Sequence, residues 1–238
     1  MHSLRPCVRD FGPLQGSALA KSPGSELQKA AAECRQDAEA FAKLLVPHTS
    51  LVLQKSEQDT ETSMNIMCYV IAAVKPPAAS LKLALQMCDQ LAAETAHKPL
   101  IRVSTMLQLY NTAASADARL AIIMRVLDFA RAANASALAP SLHKQAELWE
   151  REWKLSAQQR ATLFAAVADV LDSHPNAILK GEALMLRSKV LLAAAPGDAA
   201  ALAEVAHQAI LSFLATPGHF SCDLFASAPV QVRAPPAR

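Results

Sequence analysis

Helix starts recur along this chain about every 40 residues, the period of stacked helix-turn-helix repeats. Apolar residues at 3.6-residue spacing predict helices near 58–74, 79–96, 98–113, 116–134, 137–153, 157–173, 176–194 and 198–214. Alternate helices begin at 58, 98, 137 and 176, and the intervening ones at 79, 116, 157 and 198. Pro76-Pro77, Pro99, Pro140, Pro175 and Pro196-Gly197 punctuate the joints, where proline opens a helix or stops the one before it. A further helix is expected over 25–45, opened by the capping box Ser25-Glu-Leu-Gln28 and closed before Pro47; Ser156-Ala-Gln-Gln159 is a second box. Side-chain similarity between repeats is weak, so spacing carries the reading. It predicts an all-α fold: a right-handed superhelix of stacked helix-turn-helix repeats, tetratricopeptide- or HEAT-like, across residues 24–226. Residues 1–23 read as a flexible extension and 227–238 as a disordered tail.

Composition agrees with helix almost everywhere. Alanine, the strongest helix former, fills roughly a fifth of the chain, and only 6 of 238 residues are glycine. That poverty removes the usual material of phosphate-cradling loops. Strand signals are nearly absent, with no Asn-Gly or Asp-Gly hairpin turn. The apolar runs CYVIAAV (68–74) and LAIIM (120–124) are core-sized, far short of the ~18–20 residues of a membrane span, so no membrane contact is expected. A net charge of +2 makes no polyanion the obvious partner. Residues 1–23 lack the apolar stretch of a secretory signal, leaving an organelle transit peptide as the alternative to a plain extension.

No catalytic, cofactor-binding or metal-ligating residue is assigned. The odd, widely spaced set Cys7, Cys34, Cys68, Cys88 and Cys222 is neither a disulfide framework nor a zinc signature, and Cys68 and Cys88 read as small core residues. Trp149 and Trp153 share one face with Leu142 and Ala146, which favours core wedges over a partner-facing groove or a base-stacking platform. His143 and Glu147 could hold a metal only with a third ligand, so a surface hydrogen bond or weak ion pair is expected. His207, inside a strongly apolar stretch, is expected to be buried and satisfied. The cluster His219-Phe-Ser-Cys-Asp223 crowds its groups on neighbouring positions, which cannot converge as a triad does. Arg119, Arg125 and Arg131 step by six and drift around their helix; they read as solvated charges, with diffuse contact to acidic protein or RNA backbone as the alternative. Nucleotide, zinc-protease and hydrolase motifs are missing.

Three stretches carry a family resemblance: RVSTMLQLYN (102–111), WEREWKLSAQQRATLFAAVADVL (149–171) and ILSFLATPGHFSCDLFASAPV (210–230). Together they resemble subunit M of the eukaryotic translation initiation factor three complex, collinearly over roughly 60–230. The tryptophan pair followed by Leu155 and a serine cap is the most specific element. Members of that family share a domain with the COP9 signalosome and the proteasome lid, helical repeats followed by a winged helix. The resemblance implies a non-catalytic assembly subunit in the cytosol, bound to the other subunits of the complex and, through it, to the small ribosomal subunit. A subunit of the signalosome or the lid is the alternative, and an all-helical enzyme with an unrecognised site a more distant one.

After Val230 the sequence runs QVRAPPAR, where the family would continue into the winged helix. The expectation is therefore a truncated product or an incomplete gene model, with the winged helix absent. The helix near 198–214 is apolar nearly all round, which predicts self-association or marginal stability for the isolated chain.

Overall fold

The computed structural model describes residues 37–133 and 138–193, together with positions 203, 207, 210, 211, 213 and 214. Among these the chain is helical, with no strand. It divides into two compact units, Met1–Phe129 and Ala130–Arg238. In the first, α1 (Ala38–Leu45), a 3₁₀ turn (Val46–His48) and the short α2 (Thr49–Leu53) lead into α3 (Glu57–Ala73), α4 (Pro77–Ala92) and α5 (Pro99–Thr112). Helix α6 (Ala116–Ala132) ends the first unit and enters the second, which continues with α7 (Ala139–Trp153), α8 (Ala157–Asp172) and α9 (Ala177–Ala193).

Each helix begins where a specific side chain or proline allows it. Asp37 accepts hydrogen bonds from Glu39 and Ala40 N–H and opens α1. Ser56 caps α3 through Asp59 N–H, and Ser115 takes the Ala118 N–H at the start of α6. Prolines occupy the first turn of α4, α5 and α7, where no N–H partner is needed. Ser156 and Gln159 close the expected reciprocal box on α8, at 3.2 and 3.0 Å.

Packing follows the repeat scheme. In the first unit α3 contacts both α1 and α5, its next-but-one neighbours, while α4 packs on α3 and α5. In the second, α8 packs on α7 and α9, and α9 reaches back to α7. Contacts between helices i and i+2 distinguish stacked repeats from an isolated hairpin, because each helix pair then covers the next. The fold is an all-α helical repeat. The core of the first unit is rich in sulfur (Met64, Met67, Cys68, Met87, Cys88 and Met106, all at 3% exposure or less). That of the second is aliphatic and aromatic, around Leu163, Phe164, Val167, Leu171 and Leu186.

One expectation changes here. A continuous helix over 25–45 does not form, because the Asp37 cap, with extended backbone, starts α1 at Ala38. The α-helix closes at Leu45, before Pro47, as expected; the proline sits in the first turn of the 3₁₀ segment, where its missing N–H is harmless, and α2 follows directly. The box at Ser25 and the segments 1–23 and 227–238 lie outside the described residues.

Candidate partner surfaces

The tryptophans of α7 stack on one another. Their ring centroids are 5.4 Å apart and their planes 18° from parallel, and the side chains are only 5% and 8% exposed. One turn of helix brings residues i and i+4 to this separation, so the spacing itself produces the stack. Leu142 and Ala146 on the same face are buried as well, as the sequence pattern requires. Rings enclosed in this way are not offered to a ligand. The outer face of α7 presents Lys144, Gln145, Leu148, Arg151 and Glu152 instead.

His143 Nε2 lies 3.9 Å from Glu147 Oε1, a weak contact of the kind expected. The stronger partner of Glu147 is Lys189 on α9, whose Nζ donates to Oε1 at 2.7 Å. That hydrogen bond, together with the Lys189 charge, holds the Glu147 carboxyl below its ordinary pKa, against the opposing effect of partial burial. No group of three or more His, Cys, Asp or Glu side chains with metal-site geometry occurs among the described residues.

Arg102, the first residue of one family-like stretch, is 3% exposed. Its Nε donates to His97 O at 2.7 Å, one terminal nitrogen to Leu91 O at 2.6 Å, and the other to Glu94 Oε2 at 3.2 Å. Helix α4 ends at Ala92, so Arg102 caps a carbonyl that its own helix leaves unpaired. Burial pulls the guanidinium below its ordinary pKa while Glu94 raises it. The arginine is a structural lock.

Beside it, Lys98 adopts the left-handed conformation at φ 51° and reaches Lys55 O and Thr60 Oγ1 with its ammonium, the latter at 3.1 Å. Thr60 is fully buried and donates to Ser56 O at 2.7 Å. Nothing in the spacing of Lys55, Thr60 and Lys98 announces this junction, since its members are brought together only by the tertiary fold.

The remaining candidates are readily placed. Cys68 and Cys88 are fully buried free thiols, and their pKa values are pushed up to about 12. Burial is the main cause, added to by Cys88 for Cys68 and by Asp89 for Cys88. Arg119 bonds Ala113 O at 3.3 Å, Arg125 pairs with Asp89 at 3.4 Å, and Arg131 is exposed; they form no stripe. His207 is helical but exposed, contrary to the buried position expected: the face it occupies turns outward. Leu211 and Leu214, which are also helical, are 51% and 71% exposed. His219–Asp223 lie outside the described residues.

No family model matches this chain, and no curated protein matches it significantly. No helix among the described residues is long and apolar enough to cross a membrane.

Proposed function

We propose that this chain is a non-catalytic helical-repeat subunit that works through protein surfaces. The observation that carries the reading is the i, i+2 stacking of helices within each unit, α1–α3–α5 in one and α7–α9 in the other. Stacked repeats present long, continuous faces suited to extended partners. Several polar and nucleophilic side chains among the described residues are engaged in structure. Arg102 is spent on backbone carbonyls, and the thiols of Cys68 and Cys88 are held neutral far above physiological pH.

The resemblance of residues 102–111, 149–171 and 210–230 to subunit M supports a more specific reading. The chain assembles in the cytosol with the other subunits of initiation factor three, and meets the small ribosomal subunit through them. Affinity purification of the tagged chain from eukaryotic cytosol tests this. Co-elution of initiation-factor subunits in stoichiometric yield is expected. Co-elution of signalosome or proteasome-lid subunits instead would transfer the chain to that complex, and turnover of a substrate by the purified chain would reject the scaffold reading.

A further inference from the structure

We draw no further inference here: the strongest candidate, the apolar cleft of the first unit lined by Ile71, Leu109 and Ile122 between the α3–α4 and α5–α6 junctions, carries nothing because nothing in the structure shows what covers it.

Discussion

In the unit that ends at Phe129, helix ends are tied by buried polar side chains reaching backbone carbonyls. In the unit that begins at Ala130, the ties are a stacked aromatic pair and half-exposed ion pairs. Among the described residues, four of the five buried polar ones, Thr49, Thr60, Arg102 and Thr105, belong to the first unit, and Ser188 to the second. Among those residues, the second unit joins its helices by ion pairs such as Arg160–Glu150 at 3.1 Å, Arg187–Asp169 at 3.0 Å and Lys189–Glu147 at 2.7 Å, each with side chains roughly a third to a half exposed, where the first has Arg125–Asp89 at 3.4 Å. A buried donor or acceptor left unpaired costs about 1–3 kcal/mol, whereas an exposed ion pair contributes about 0–1 kcal/mol. One repeat geometry is thus closed by buried polar ties in one unit and by a buried aromatic stack with exposed ion pairs in the other.

The largest effect should come from the aromatic stack. Trp149→Ala and Trp153→Ala each remove a buried indole and should cost about 3–5 kcal/mol. In a chain of this size that lowers the melting temperature by roughly 10 °C. Calorimetry showing both variants within a degree of the parent, with partner binding lost instead, would move the pair from the core to an interface.

Next is Arg102→Met, which keeps the stem volume but strands the carbonyls of Leu91 and His97. A loss of about 2–4 kcal/mol in urea unfolding is expected, with little recovery in Arg102→Lys because an ammonium cannot reproduce the planar fork. Near-parental stability of the lysine variant would show that charge alone suffices.

A paired substitution sharpens the contrast. Lys98 and Lys154 both hold left-handed backbones, at φ 51° and 50°, a conformation glycine adopts without strain. Lys154→Gly should leave stability equal or raise it by up to about 1 kcal/mol. Lys98→Gly should lower it by about 1–2 kcal/mol, because the bonds to Lys55 O and Thr60 Oγ1 go with the side chain. Equal effects in chemical denaturation would mean that the Lys98 ammonium contributes nothing.

The smallest effect belongs to Glu147. Its carboxyl is held below the ordinary value of 4.5, so its contribution is present above that pH and is lost as pH falls through the lower folded value. The side chain is 41% exposed, so solvent screening leaves well under about 1 kcal/mol. Glu147→Gln should therefore match the parent at acid pH and fall slightly below it at pH 7 in low salt. A mutant that is equally stable at both would show that the Lys189 pair contributes nothing.

Much of the helical order was legible in the sequence because its signals are local. Prolines at 77, 99 and 140, the box at Ser156 and the 3.6-residue pattern placed α3 to α9 close to where they lie. Local signals also misled. Pro47 marks the end of α1 correctly, but the run 25–45 gives no sign that Asp37 captures the helix start. His207 was misplaced because a strongly apolar stretch does not specify which face each residue occupies. Contacts between distant residues left no trace to read. Lys189 and Glu147 stand 42 residues apart, and Lys98 and Lys55 stand 43 apart.

Both tryptophans of the chain, stacked in α7, lie in the second unit, and the first contains none. Indole emission therefore reports on one unit alone, while far-ultraviolet circular dichroism reports on both. The molecule carries its own regional fluorophore. An emission transition that departs from the dichroism transition during heating would reveal two cooperative blocks, and superimposed curves would reveal one.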